Sequence, residues 1–217
     1  MSESKISERP QSWGEEIANT LSHGAGLVAA LVGASFLIAT AVQRGNASFI
    51  VGASIFAGTM VLLYLASTLY HAWPANRAKG VFMVCDHAAI FLFIAGTYTP
   101  FTLGILRGGW GWALFGIVWS LAATGIAFKV IGGAQRFPRL STGVYLGMGW
   151  VVVIAVVPLW HLMPPAGLWW LLAGGLAYTV GVGFFAAERI RYGHLVWHLF
   201  VLAGSACHFC AVLWYAS

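Results

Sequence analysis

The chain has 217 residues, of which 60% are hydrophobic and only 8% are charged. Because soluble domains typically carry about 25% charged residues, this composition excludes an ordinary soluble domain. The formal net charge of +5 would suit a nucleic-acid partner, but the positions of the basic residues argue against one.

Apolar stretches recur along the whole chain, and each is long enough to cross a hydrocarbon core of about 30 Å. Backbone polar groups must be satisfied within lipid, so we expect helices rather than strands. The sequence therefore predicts an all-α membrane protein, a seven-helix transmembrane bundle that follows a cytoplasmic tail formed by residues 1–20. The predicted spans are Leu21–Val42, Ser48–Tyr70, Val81–Leu103, Trp110–Phe128, Ser141–Trp160, Gly167–Ala187 and Leu195–Ala216.

The basic residues are distributed unevenly between the two sides of this bundle. Of the 11 lysines and arginines, only Arg44 and Arg107 fall on one side. By the positive-inside rule, the N-terminus is cytoplasmic, the C-terminus is outside, and the protein resides in the cell (inner) membrane. The basic residues thus serve as orientation signals and predict no nucleic-acid partner. Those on the cytoplasmic side are Lys5, Arg9, Arg77, Lys79, Lys129, Arg136, Arg139, Arg189 and Arg191.

This topology brings polar residues from four predicted helices to one membrane depth, near the cytoplasmic face. Polar and ionisable groups at the edge of a bilayer are costly unless they share a partner, and a metal ion is a suitable shared partner. We expect His23, which opens the first span, to support such a site rather than to bind the metal. The five converging residues are His23, His71, Asp86, His194 and His198.

The spacing of the converging residues suits zinc. His194 and His198 are four residues apart and project from one helix face, and His71 can supply a third ligand. Three protein ligands plus a water are typical of a catalytic zinc site. Asp86 is placed to hold or deprotonate that water. Ser67, one turn before His71, can hydrogen-bond a ligand, the water or a developing oxyanion.

Two further histidines are expected to lie outside the ligand set. His87 points about 100° away from Asp86 around the helix, so we expect it to bond near the site or to face a neighbouring helix. His208 lies about 15 Å from His198 at helical rise, so we expect a buried hydrogen-bonding residue. The spacing leaves one alternative open, in which Asp86 forms an interhelical ion pair with the His194/His198 pair and no metal is bound.

Four motifs in this order resemble those of the hemolysin III proteins, across nearly the whole chain. These proteins are the bacterial branch of the progestin and adipoQ receptor family and are distantly similar to alkaline ceramidases. The motifs are EIANTLSHG at 16–24, STLYH at 67–71, DHAAIFLFIAGTYTPF at 86–101, and HLVWHLFVLAG at 194–204 followed by His208.

The resemblance implies a seven-helix bundle with a zinc ion near the cytoplasmic face. It implies that His71, His194 and His198 bind the zinc, that Asp86 contacts the metal's water, and that Ser67 supports it. These are the residues that the spacing also selects.

Three functions are compatible with such a site. A zinc-dependent hydrolase would act on a lipid amide or other acyl substrate that enters sideways from the bilayer. A sensor or regulator of membrane lipid homeostasis would use the zinc structurally, and the short outer loops would restrict its ligand to a lipid. A cytolytic pore should show a polar stripe along several spans, whereas the outer two-thirds of these spans are almost wholly apolar.

Overall fold

The computed structural model describes residues 10–134, 136–187 and 189–217. Within these ranges the regular structure is helical, and seven segments are long and apolar enough to cross a membrane. This confirms the predicted all-α bundle and a multi-pass membrane protein. The helices are α1 (Trp13–Arg44), α2 (Ala47–Ala72), α3 (Arg77–Leu103), α4 (Gly109–Gly132), α5 (Pro138–Trp150), α6 (Val156–Leu162), α7 (Pro165–Ala186) and α8 (Gly193–Tyr215); α5 and α6 share one span.

The first helix begins at Trp13, well before the start predicted at Leu21. Ser12 and Glu15 form a capping box, in which the Ser12 hydroxyl accepts from the Glu15 amide and the Glu15 carboxylate accepts from the Ser12 amide. This arrangement satisfies two amide donors that a helix start leaves unpaired. Part of the predicted tail therefore belongs to α1, and this extension places Glu16 and Asn19 on the bundle.

The fifth span is interrupted, since α5 and α6 are joined by a 3₁₀ segment at Val151–Ala155. The hydroxyl of Tyr98, on α3, fills the interruption. It accepts from the Val152 amide at 3.0 Å and lies within donating distance of the carbonyls of Met148 (2.9 Å) and Gly149 (2.8 Å). Irregular backbone at membrane depth is tolerated where other protein groups satisfy its hydrogen bonds. The Tyr98 hydroxyl supplies such hydrogen bonds at this interruption.

Helices α1, α2, α3 and α8 form the main core. Helix α2 packs between α1 and α3, and α8 packs against α1 and α7. Phe49, Phe56 and Tyr64 are almost fully buried on α2. Large apolar side chains elsewhere, such as Val32 (68% exposed) and Ile131 (84% exposed), point outward. Such exposure is costly in water but natural against lipid tails.

Successive spans run in opposite directions, so the end of α2 lies beside the starts of α1, α3 and α8. The ring of His71, on the last turn of α2, is 5.0 Å from that of His194, on the first turn of α8. The bundle thus gathers polar side chains of four helices at one end, as the sequence predicts.

Candidate metal centre

Three histidines from two helices form a compact group. His71, His194 and His198 each offer one ring nitrogen, and the three nitrogens lie within 4.8 Å of one another. His71 and His198 are buried, with 3% and 1% of their surface exposed. Their rings enclose a small space, with centroid separations of 4.6 to 5.0 Å. This group can hold a metal ion.

The orientation of His71 is set by Glu16. Nδ1 of His71 lies 2.7 Å from Oε2 of Glu16, and Nζ of Lys79 lies 3.0 Å from Oε1 of the same carboxylate. A carboxylate only accepts hydrogen bonds, so Nδ1 carries the proton. Nε2 of His71 is buried without a partner among the described residues. A carboxylate behind a histidine is the usual arrangement around a metal, with the opposite nitrogen left as the ligand.

The orientation of His198 follows from Ser22. The Ser22 hydroxyl donates to the Asn19 carbonyl at 2.9 Å, and its oxygen lies 3.0 Å from Nδ1 of His198. A hydroxyl has one proton, and the carbonyl takes it, so Nδ1 of His198 is the donor toward Ser22. Nε2 of His198 therefore has a free lone pair. Two of the three histidines are thus held in the same tautomer by residues of α1.

His194 completes the group from the first turn of α8. Its ring packs against those of His71 and His198, while the Phe185 ring lies 6.0 Å away on another side. Phe185 comes from the end of α7. An apolar ring beside the histidines limits the access of solvent and makes the surroundings less polar.

The other predicted site residues line the same end of the bundle. Asp86, 8% exposed, lies beside the hydroxyl of Ser67. That hydroxyl is 2.7 Å from Nδ1 of His23. The His23 ring stacks on that of His198 with centroids 3.5 Å apart, and its Nε2 is buried without a hydrogen-bond partner in the described chain. The structure therefore brings Ser67, His23 and Asp86 together next to the histidine group.

His87 and His208 lie outside the metal group. Nδ1 of His87 donates to the Met83 carbonyl of its own helix at 2.8 Å. His208 is bonded within α8, where its Nδ1 donates to the Gly204 carbonyl at 2.9 Å. Neither residue belongs to the group of three histidines that can hold a metal ion, and their assignment as non-ligands stays a prediction.

A cavity of about 870 Å³ extends from the site into the interior of the bundle. Ser67, Asp86 and His194 lie on its wall at one end, and His208 lies on its wall further along α8. Many side chains between them are apolar, including Ile90. A volume of this size is within the range of small-molecule sites.

Sequence reasoning missed the supporting role of Glu16, because the first span was expected to start only at Leu21. It also missed the role of Ser22, which lies within the predicted span but whose contact with His198 is tertiary. The pattern Ser12-x-x-Glu15 is a capping-box signal that predicts an earlier helix start. An earlier start would have placed Glu16 and His23, seven residues apart, on one face of α1.

These features define an integral membrane protein with seven spans and a buried histidine group that can hold a metal ion. Residues 11–209 match the model of the family described as "Haemolysin-III related". The chain belongs to this hemolysin III family, within the progestin and adipoQ receptor group.

Curated relatives align over most of their length. The chain is 44% identical to Hemolysin-3 of Bacillus cereus over 97% of this chain and 96% of that protein. It is 47% identical to the Hemolysin-3 homolog of Bacillus subtilis (strain 168), over 93% and 94% of the two chains. It is 30% identical to the human monocyte to macrophage differentiation factor, over 91% and 83%.

Proposed function

We propose that the metal held by His71, His194 and His198 is zinc. Three neutral imidazoles are a typical ligand set for zinc, and a set of three leaves a fourth position open. The support from the structure is the pair of Nδ1 contacts, since Glu16 and Ser22 fix the tautomers that leave Nε2 of His71 and His198 as metal ligands. Nε2 of His71 is also buried and has no hydrogen-bond partner within the described part of the chain, as a metal ligand would be.

We further propose that the protein is a zinc-dependent hydrolase that cleaves a lipid amide. The observation that carries this proposal is the shared cavity, a space of about 870 Å³ with many apolar side chains. Two histidines of the group, His194 and His198, border it together with Asp86 and Ser67. A space of that kind at membrane depth suits an acyl chain rather than a soluble anion. The substrate would enter from the bilayer.

Each residue around the cavity has a defined role in this proposal. A bound zinc ion would act as a Lewis acid toward the amide carbonyl. The Asp86 carboxylate would take a proton from the attacking water and return it to the departing amine. The Ser67 hydroxyl, held by Nδ1 of His23 at 2.7 Å, would orient the Asp86 carboxylate or donate to the developing oxyanion.

Turnover of long-chain N-acyl amides by purified protein in nanodiscs tests the hydrolase proposal. Asp86→Asn should reduce the rate by about 10²- to 10⁴-fold, the usual contribution of a general base, with the bound metal retained. The adjacent and exposed Cys85 offers a matched control, and Cys85→Ala should keep the wild-type rate. An Asp86→Asn variant as active as wild type, or a wild type without turnover across the amide series, would overturn the proposal.

A further inference from the structure

A second polar cluster lies on the same cavity, deeper in the bundle than the histidine group. His208 and Tyr178 both line the cavity, and their rings are stacked with centroids 5.5 Å apart. The Tyr178 hydroxyl lies 3.1 Å from the Ser205 hydroxyl, which also accepts from Tyr64 at 2.8 Å. Polar groups at this depth are costly unless they are satisfied or functional.

Hydrogen-bond accounting leaves a ring nitrogen of this cluster available as an acceptor. A carbonyl only accepts, so Nδ1 of His208 must donate to Gly204. The neutral ring then carries a lone pair on Nε2, which has no hydrogen-bond partner among the described residues. The hydroxyls of Tyr178 and Tyr64 both bond to the hydroxyl of Ser205. Nε2 of His208 is thus an acceptor without a donor, on a residue that lines the cavity.

Two glycines make room for the stacked rings. A methyl group at Gly174 would collide with the His208 ring, and one at Gly204 would collide with the Tyr178 ring. Both contacts are too close for any larger residue. The backbone of α7 and α8 therefore approaches closely around these rings and keeps His208 on the cavity wall.

We propose that His208 is a second recognition point for the lipid in the cavity, and that its Nε2 accepts a hydrogen bond from a hydroxyl on that lipid's chain. Helix α8 sets the distance between the histidine group and this second recognition point. His208 follows His198 by ten residues, or about 15 Å at helical rise. The preferred ligand class is an acyl lipid with a hydroxyl about that far from its carbonyl. The inference rests on the proposed function only for the position of that carbonyl.

Matched fatty acids test this proposal without requiring turnover. Binding of ω-hydroxydodecanoic acid and dodecanoic acid to the full chain in nanodiscs would be measured by displacement of radiolabelled dodecanoic acid. The extended hydroxy acid is long enough to reach from the histidine group to His208. One hydrogen bond should make it bind wild type about fivefold more tightly than dodecanoic acid. The shorter pair of ω-hydroxyoctanoic and octanoic acids should show no preference, because the hydroxyl falls short of His208.

His208→Phe keeps a ring in place but removes the acceptor, so the two twelve-carbon acids should bind this variant equally. His208→Leu repeats the test if the phenylalanine variant does not fold. His161→Phe, at an exposed histidine of α6, should keep the wild-type preference. The proposal would be overturned if wild type bound the two twelve-carbon acids equally, or bound neither of them. It would also be overturned if the preference for the hydroxy acid survived in the His208 variants. A preference without any amide hydrolysis would refute the hydrolase function and leave this recognition site standing.

Discussion

Nδ1 of His71 donates to Oε2 of Glu16 at 2.7 Å, across 55 positions of the chain. This bond joins the last turn of α2 to the first turns of α1. It holds a ring that would otherwise be free to rotate, with Nε2 directed away from the carboxylate. The geometry makes Glu16 a positioning residue for the candidate metal centre.

Glu16→Ala should weaken metal binding. Loss of an outer carboxylate behind a histidine ligand typically costs about 10- to 100-fold in metal affinity. Zinc affinity measured by competition with a chelator checks this expectation. Lys79→Ala is the control, because Lys79 touches Glu16 at 3.0 Å without touching the ring, and it should change the affinity by less than about threefold. Equal affinities of Glu16→Ala and wild type would show that Glu16 does not position His71.

Ser22→Ala tests the support of the second histidine. The substitution removes the acceptor at 3.0 Å from Nδ1 of His198, so the ring loses one of the two residues of α1 that hold it, the other being the Asn19 backbone. We expect zinc affinity to fall by about tenfold. Ser35→Ala is a matched control on the same helix, since the Ser35 hydroxyl donates to the Leu31 carbonyl of its own helix at an exposed position. A fall of the same size in Ser35→Ala would mean that the effect comes from α1 as a whole.

Tyr98→Phe should destabilise the bundle without affecting the metal. The substitution leaves the Val152 amide in the 3₁₀ segment without its acceptor, and an unsatisfied buried donor costs about 1–3 kcal/mol. Thermal unfolding in nanodiscs should show a lower midpoint, and metal content should stay at the wild-type level. Tyr215→Phe, at the last residue of α8, serves as the control. An unchanged midpoint in Tyr98→Phe would show that other groups satisfy the interruption.

The orientation in the membrane remains a prediction from charge. With the native cysteines replaced, Arg77→Cys should be protected from a membrane-impermeant maleimide in intact cells, and Arg107→Cys should react. Both residues lie in or near connections between helices. Labelling therefore reports the side of the membrane on which a residue lies rather than its depth in the membrane. The reverse pattern would place the histidine group at the outer face and contradict the positive-inside assignment.

The number of helices and the convergence of polar residues were predictable because apolar length and helix direction are properties of the sequence itself. His71, Asp86 and His194 come together for that reason alone. The role of Asp86 and Ser67 in catalysis stays a prediction, because placement beside the histidines is compatible with support as well as chemistry.

Other features could not be read from hydropathy. The Glu16–His71 bond depends on the extra turns of α1, which hydropathy assigns to a polar tail. The interruption at Val151–Ala155 has no glycine or proline within it, and it is stabilised by Tyr98 from a helix distant in sequence. The cavity near His208 depends on close packing at Gly174 and Gly204, which only tertiary structure shows.

The most direct test of a zinc centre is the metal content of the purified protein. Inductively coupled plasma mass spectrometry would compare wild type with the His194→Ala/His198→Ala double variant, both purified without chelators. The account predicts about one zinc per wild-type chain and a loss of that zinc in the double variant, with the fold retained. A wild type without metal, or a double variant that keeps its full zinc content, would contradict a metal centre at His71, His194 and His198.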